Sequence, residues 1–260
     1  MKSSRVLRKL RAGEIVSSLK LNLDSSRAAE MAAMAGIDCL WLCMEHVPND
    51  LALIERQILA AKAYDTDTMV RIPRGCYSDY IRPLELDATG IMVPHIMSLE
   101  DAKNVVRMTR FHPLGRRPID GGNSDGDFCA AEMIEYMEFA NRERFITVQI
   151  EDPEPLDELE EIAALDGIDM LFFGPADFSQ GIGAPGQWDA PRITETRKRV
   201  AEVAIKHGKF AGTPGSPEKI EELVDLGYRF LPMGSDVRTL SVFFNDVVCK
   251  FNEKAREYNK

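Results

Sequence analysis

The sequence predicts a (β/α)₈ barrel, and three observations lead to that prediction. Short apolar, β-branched runs alternate with longer segments of helical periodicity, a pattern typical of parallel strands joined by crossover helices. Eight such units occur in about 230 residues, which matches the count and size of this barrel. No linker-like or low-complexity stretch divides the chain, so residues 1–260 are predicted to form one domain.

Eight short apolar runs are interpreted as the strands of the barrel. They are Ile15–Leu21, Cys39–Met44, Thr68–Ile72, Gly90–Pro94, Phe145–Ile150, Met170–Phe173, Lys209–Gly212 and Arg229–Met233. An open doubly wound sheet is the alternative, and it would normally place a glycine-rich turn after the first strand. The chain has Asn22-Leu23-Asp24-Ser25 at that point, so the closed barrel is favoured.

The segments between the strands carry helix signals. Leu51–Ala63 and Val237–Glu257 repeat apolar residues at helical spacing, which predicts a C-terminal helix from about residue 237. Ser216 followed by Pro217 predicts another helix start, with a serine cap and proline at the first helical position. His112–Cys129 lacks both periodicities, and a loop of this length is usually a lid or a binding loop.

Composition excludes several classes of partner. The chain has 42 acidic and 32 basic residues and a net charge of −10, which argues against binding to nucleic acid or to an anionic membrane. It has neither a membrane-spanning run nor the apolar stretch of a signal peptide. Its five cysteines are an odd number without CxxC spacing, so they predict reduced thiols and a cytoplasmic protein.

The ends of the predicted strands carry the candidate chemistry, because active sites of such barrels lie at the C-terminal ends of the strands. Gln149 and Glu151 share one face of the fifth strand, and Asp177 follows the sixth. Two carboxylates from neighbouring strand ends suit Mg²⁺ or Mn²⁺, which can act as a Lewis acid on a substrate carbonyl. The alternative is that both acids only favour helix starts through the helix dipole.

Two further strand ends supply a cation and a base. Arg71 ends the third strand and is a candidate to stabilise developing oxyanion charge, although a plain salt bridge is the alternative. His46 follows the second strand and is a candidate base, with a purely structural hydrogen bond as the alternative. His95 and His112 also lie in loops and are not excluded. Cys43 is interpreted as an inert core thiol and not as a nucleophile paired with His46.

At these residues the sequence resembles the HpcH/HpaI family of metal-dependent class II aldolases, which act on pyruvate and related 2-oxo acids. The likeness runs from residues 10–13 to the helix after residues 234–236. Its most specific stretches are Glu45-His46-Val47-Pro48-Asn49-Asp50, Val70-Arg71-Ile72-Pro73, Val148-Gln149-Ile150-Glu151 and Phe173-Gly174-Pro175-Ala176-Asp177-Phe178-Ser179.

The resemblance implies roles for the matching residues. Glu151 and Asp177 would bind the metal, which would be Mg²⁺, Mn²⁺ or Co²⁺. Gln149 would contact the substrate, and the backbone at Ala176 and Asp177 would hold the carboxylate of pyruvate. The resemblance also implies catalytic roles for three residues, namely His46 as proton acceptor, Arg71 as enolate stabiliser and Asp87 as the acid that raises the basicity of the histidine.

The resemblance also implies an assembly. Asp87 precedes the fourth strand, at the opposite end of the barrel from His46, so a neighbouring subunit would have to supply it. This requirement fits the family's homohexamer, a trimer of dimers with shared active sites.

Three departures from the family pattern affect the second substrate. Cys43-Met44 replaces an acidic residue and a small one before Glu45, and Gly115-Arg116-Arg117-Pro118 replaces a Gly-x-Arg-Gly turn. Thr213-Pro214-Gly215-Ser216 replaces a segment that brings an apolar residue towards the aldehyde. The part of the site that would bind pyruvate is thus intact, whereas the part that recognises the aldehyde is altered.

The predicted function is a divalent-metal-dependent aldolase, an EC 4.1.2-like lyase acting on pyruvate and an aldehyde through an enolate. Two alternatives remain open. One is an acyl-CoA lyase of the citrate-lyase-β or malyl-CoA type, with Arg116 and Arg117 as possible phosphate contacts. The other is a non-catalytic oligomeric protein that binds a 2-oxo acid.

Overall fold

Eight parallel strands close into a single barrel in a computed structural model that describes residues 1–258. The strands are β1 (Val16–Leu21), β2 (Cys39–Cys43), β3 (Asp67–Arg71), β4 (Gly90–Val93), β5 (Phe145–Ile150), β6 (Met170–Phe173), β7 (Phe210–Gly212) and β8 (Phe230–Ser235). Each strand pairs with its neighbours in chain order, and β8 pairs with β1. The predicted (β/α)₈ barrel and its eight strands are confirmed, and the open sheet is excluded.

The strands are joined by helices on the outside of the barrel. They are α1 (Arg5–Arg11), α2 (Ser26–Met34), α3 (Leu51–Lys62), α4 (Tyr77–Glu85), α5 (Leu99–Thr109), α6 (Met133–Glu143), α7 (Leu159–Ala164), α8 (Pro175–Gly181), α9 (Pro191–Lys206), α10 (Ile220–Asp225) and α11 (Asp236–Tyr258). The predicted helices at 51–63 and 237–257 are confirmed as α3 and α11. The predicted helix start at Ser216 is confirmed in position, since Ser216 is the N-cap and Pro217 the first residue of a 3₁₀ turn (Pro217–Lys219) that leads into α10. The Ser216 side chain, however, makes no capping hydrogen bond.

Side chains that alternate along the strands form two apolar layers. One layer fills the barrel interior, where Trp41, Phe172 and Phe230 pack edge to face. The other lies between the strands and the surrounding helices. Helix α1 packs apolar residues against the inner layer and so closes the N-terminal end of the barrel. The barrel is therefore a solid support whose C-terminal end carries the polar residues.

The long loop at residues 112–129 packs against its own subunit. Arg117 and Asp125 form a buried ion pair of 2.6 Å, and the hydroxyl of Tyr136 on α6 donates to Asp125 at 2.7 Å. A short 3₁₀ segment at Ser124–Cys129 is interrupted by non-helical backbone at Gly126, Asp127 and Phe128. Because the ion pair buries Arg117 away from the barrel mouth, it does not support this residue as a phosphate contact.

Helix α11 has no buried residue along its 23 residues. Its exposed apolar side chains include Val242, Phe243, Phe244, Val248 and Phe251. Its first turn is tied to the barrel, where the Asp236 carboxylate accepts hydrogen bonds from the backbone of Asn22 and Leu23. Among the described residues, no helix is both long and apolar enough to cross a membrane.

Candidate active site

A cavity of about 740 Å³ opens at the C-terminal ends of the strands. Its floor is the inner apolar layer, represented by Trp41 and Phe172. Six of the seven candidate residues line it, namely His46, Arg71, Gln149, Glu151, Ala176 and Asp177. They come from β2, β3, β5 and β6 or from the residues that follow these strands, so barrel closure brings together positions separated by up to 131 residues in sequence (46 to 177).

One wall of the cavity is acidic. Glu151 follows β5 and is 1% exposed, with one carboxylate oxygen accepting the backbone N–H of His95 at 3.0 Å. The amide of Gln149 donates to the other oxygen. Asp177 lies in the first turn of α8. Burial raises the pKa of Glu151 to about 7, and the negative charge of Asp177 also raises it, although the contacts with His95 act in the opposite direction.

The acidic wall fits a hard divalent cation. Glu151 is buried close enough to Asp177 for the charge of Asp177 to raise its pKa, and the side-chain oxygen of Gln149 is buried without a hydrogen-bond partner among the described residues. Residues 1–258 contain no cluster of three or more acidic, histidine or cysteine ligands. Two carboxylates are nevertheless a common protein share of a Mg²⁺ site, since water and substrate oxygens complete the coordination.

The acidic wall requires glycine at position 174. A Cβ atom there would lie 2.7 Å from Glu151 Oε2 and 2.9 Å from Gln149 Nε2. Gly174→Ala is therefore expected to displace both side chains and to lower turnover by about 10²-fold, because displacements of about 1 Å in a site have such effects. Gly121→Ala is the matched control, since a Cβ atom at Gly121 meets nothing within 4 Å. Equal turnover of the two variants in a steady-state assay would contradict this role of Gly174.

A second part of the cavity wall is organised around Arg71, which is 4% exposed. Its Nε lies 2.9 Å from Glu45 Oε2, its guanidinium lies 4.9 Å from the ring centroid of Trp41, and Nη2 donates to Cys43 Sγ at 3.3 Å. Cys43 is buried, as expected, but its sulfur contacts the site. These contacts fix Arg71 at the cavity.

Glu45 connects the candidate bases to Arg71, and its role was not predicted from the sequence. Its carboxylate lies 3.3 Å from His46 Nε2 and 3.6 Å from His95 Nε2. The available signal was its place directly after β2, next to His46. His46 is 52% exposed, so its ring is accessible from the cavity mouth.

His95, which the sequence left open, lies beside the acidic wall. Its Nδ1 is 2.8 Å from Asp152 Oδ2, and its backbone has a positive φ of 50°. Burial opposes protonation of His95, but the hydrogen bond to Asp152 and the charges of Glu151 and Glu45 outweigh it and raise the pKa. His112 does not line the cavity, so the geometry supports no role for it in the site.

Asp87 lies at the other end of the barrel, between α4 and β4. Its carboxylate is 5% exposed and pairs with Lys62 and Arg144 of its own chain. Within one subunit it therefore does not meet His46, as its place in the sequence indicated. A role at the His46 of a neighbouring subunit stays a prediction.

Comparison with known proteins gives matches over nearly the whole chain. The profile of the HpcH/HpaI aldolase/citrate lyase family matches residues 17–242. A hydroxypyruvate/pyruvate aldolase from Roseobacter denitrificans is 31% identical over 246 residues, covering 94% of this chain and 95% of the relative. A 2-keto-3-deoxy-L-rhamnonate aldolase from Escherichia coli K12 is 32% identical and covers 90% and 87%. The crystal structure of an HpcH/HpaI aldolase from Desulfitobacterium hafniense superposes with a TM-score of 0.90 at 29% identity, covering 95% and 96%.

Proposed function

Because the chain belongs to the HpcH/HpaI aldolase/citrate lyase family, we propose that its cavity forms or cleaves a carbon–carbon bond next to a 2-oxo acid. The chain is a lyase of the aldolase type, and its substrates are pyruvate, or a close analogue, and an aldehyde. Two relatives whose names include pyruvate or a keto acid support this assignment. The observation that carries it is that one cavity brings together the buried Glu151, the neighbouring Asp177 and the buried Arg71.

Glu151 and Asp177 are the residues that would hold the divalent cation, which is Mg²⁺, Mn²⁺ or Co²⁺. When bound, such a cation supplies Lewis-acid polarisation of the substrate carbonyl. The chain itself supplies the remaining recognition of the 2-oxo acid. The backbone N–H groups of Ala176 and Asp177 lie in the first turn of α8, where helix geometry leaves them free to hold a substrate carboxylate, and Gln149 contacts the same substrate.

Proton transfer is assigned to His46. Its exposed imidazole takes a proton from the methyl carbon of the 2-oxo acid, directly or through water, and Glu45 orients the ring. Arg71 then stabilises the negative charge on the enolate oxygen, because it keeps its proton and offers several donors. Cleavage uses the same groups in reverse order, with His46 returning the proton to the methyl carbon.

Assembly into a homo-oligomer, a hexamer built as a trimer of dimers, is part of the proposal. The exposed apolar side chains of α11 support it, since a surface of this kind marks an interaction site. In such an assembly Asp87 would reach the His46 of a neighbour and raise its basicity. The five cysteines are all free, which is consistent with a reducing cytoplasm.

The experiment that tests the function is an aldol addition of pyruvate to an aldehyde, followed by NMR of the product. Addition should occur with Mn²⁺ or Mg²⁺ and stop when a chelator is added. A product that forms equally well after chelation would contradict the metal-dependent reaction.

Metal binding should depend on pH because Glu151 must be ionised to bind a cation. Its pKa of about 7 means that the carboxylate is mostly protonated one pH unit below this value and mostly ionised one unit above it. The affinity for Mn²⁺ should therefore be about tenfold weaker at the lower pH than at the higher one. Calorimetric titration at the two pH values measures this ratio, and an affinity independent of pH would contradict the raised pKa.

A further inference from the structure

The cavity has a basic side that the proposed binding of pyruvate and metal does not use. Four cations line it, and we call them the basic rim: Lys20, Arg197, Lys219 and Arg238. Lys20 lies on β1, Lys219 lies between β7 and α10, and Arg238 lies in the first turn of α11 after β8. These elements are neighbours in the barrel, whereas Glu151 and Asp177 follow β5 and β6. The cavity is thus divided into an acidic sector and a basic sector.

The basic rim lacks internal countercharges. Within residues 1–258, none of its four side chains forms an ion pair with a carboxylate, although other cations of this acidic protein do so. The Nε of Arg197 is buried and has no hydrogen-bond partner among the described residues. Four such cations around one cavity, in a chain of net charge −10, indicate that the missing anion is a ligand.

Lys20 is the innermost member of the basic rim. Its place is fixed by strand pairing, because it lies opposite Trp41 of β2 on one side and Ser235 of β8 on the other. Its Nζ lies 5.2 Å from the ring centroid of Trp41, the same ring that Arg71 contacts. Burial lowers the pKa of Lys20, and the charge of Arg71 lowers it further. The charges of Glu45 and Asp177 act in the opposite direction, and a substrate anion beside Lys20 would add to them.

Arg238 extends the basic rim from Lys20 towards the mouth of the cavity. Its backbone N–H lies 3.4 Å from the hydroxyl of Ser235, the residue paired with Lys20. The aldehyde must approach the enolate from a part of the cavity that the 2-oxo acid leaves free. The basic sector is such a part, since the proposed contacts of the 2-oxo acid lie on β3, β5 and α8.

We propose that the basic rim binds an anionic group, a carboxylate or a phosphate, carried by the aldehyde that accepts the enolate. The substrate class is then an aldehyde acid or a phosphorylated aldehyde, and this inference rests on the proposed aldolase function. In the reaction, the methyl carbon of the 2-oxo acid bonds to the aldehyde carbon. The carbonyl electron pair moves to the aldehyde oxygen, which takes up one proton, so the proton removed from the methyl group is balanced.

The test compares acceptors that differ in one anionic group. Succinic semialdehyde is paired with butanal, and glyceraldehyde 3-phosphate with glyceraldehyde, each at saturating pyruvate. The wild-type protein should show a higher kcat/KM for the anionic member of at least one pair. Lys20→Met should lower this preference by about 10- to 100-fold, since hydrogen bonds to charged groups contribute about that much. Arg238→Gln should lower it in the same direction.

Lys198→Met is the matched control. Lys198 lies on α9, is exposed and pairs with Glu202 at 3.6 Å, so this variant removes a positive charge outside the cavity. It should keep the wild-type preference. If Lys20→Met lowers the preference only for the carboxylate pair, the acceptor is a carboxylate. If it lowers the preference only for the phosphate pair, the acceptor is a phosphorylated aldehyde.

Two results would overturn the inference. One is a wild-type protein without preference for either anionic acceptor, and the other is an unchanged preference in Lys20→Met. If no acceptor reacts at all, the proposed function fails, and binding of inorganic phosphate and succinate by calorimetry still tests the basic rim. Weaker binding to Lys20→Met than to wild type would then support an anion site, and equal binding would exclude it.

Discussion

Glu151→Gln is expected to abolish metal-dependent chemistry while leaving the fold intact. The substitution keeps the shape of the side chain but removes one of the two charges assigned to the cation. Loss of an outer-shell partner alone typically weakens metal binding by about 10- to 100-fold, so the loss of a direct ligand should exceed that range. Calorimetric titration with Mn²⁺ measures the affinity, and Glu154→Gln on an exposed residue is the matched control. Wild-type affinity in Glu151→Gln would refute the ligand assignment.

The same variant makes a second measurement possible. Burial raises the pKa of Glu151 above its value in the unfolded chain. Ionisation of Glu151 above about pH 7 therefore destabilises the metal-free protein. This stability is present at low pH and is lost as the pH rises through the folded pKa. Metal-free Glu151→Gln should therefore unfold at the same or a higher temperature than wild type above that pH. This result would separate loss of function from loss of folding.

Arg71→Ala is expected to lower turnover by about 10²–10³-fold, the usual effect of removing one oxyanion stabiliser, which is about 2.7–4 kcal/mol. The reason is that Arg71 is the buried cation assigned to the enolate oxygen, and Glu45 and Trp41 fix it in the cavity. Steady-state kcat with pyruvate and an aldehyde measures the effect. Binding of Mn²⁺ should persist, because the acidic wall remains.

Two controls sharpen the experiment on Arg71. Arg82→Ala removes an exposed arginine of α4 that does not line the cavity, so it should keep wild-type turnover. Arg71→Lys keeps the charge but loses the planar arrangement of donors. Its turnover should therefore lie between those of wild type and Arg71→Ala. Full activity of Arg71→Ala would remove this residue from the mechanism.

The sequence predicted the fold well because the signals of a parallel barrel are local. Each strand is a short apolar run whose side chains alternate between the two layers, as in β2, where Cys39 and Trp41 belong to the inner layer and Leu40 and Leu42 to the outer one. Glu151 and Asp177 could be paired in advance because β5 and β6 are consecutive, so their ends had to be adjacent. That inference needed only the order of the strands.

Features that depend on register or long-range packing could not be predicted in this way. The contact of Glu45 with His95 requires the loops after β2 and β4 to meet, and nothing local to either loop indicates it. The basic rim depends on the pairing of Lys20 with Ser235, which exists only once β8 closes against β1. The hydrogen bond from Tyr136 of α6 to Asp125 likewise holds the long loop against its own subunit, although the length of this loop favoured a lid or a binding loop.

The central claim is that this cavity forms the enolate of a 2-oxo acid, and exchange of the methyl protons of pyruvate in D₂O tests it most directly. Proton NMR follows the exchange without requiring the identity of the aldehyde. We expect exchange with Mn²⁺, Mg²⁺ or Co²⁺, no exchange in the presence of chelator, and its loss in His46→Ala. Absence of exchange with every metal, despite demonstrable binding of pyruvate, would contradict the account.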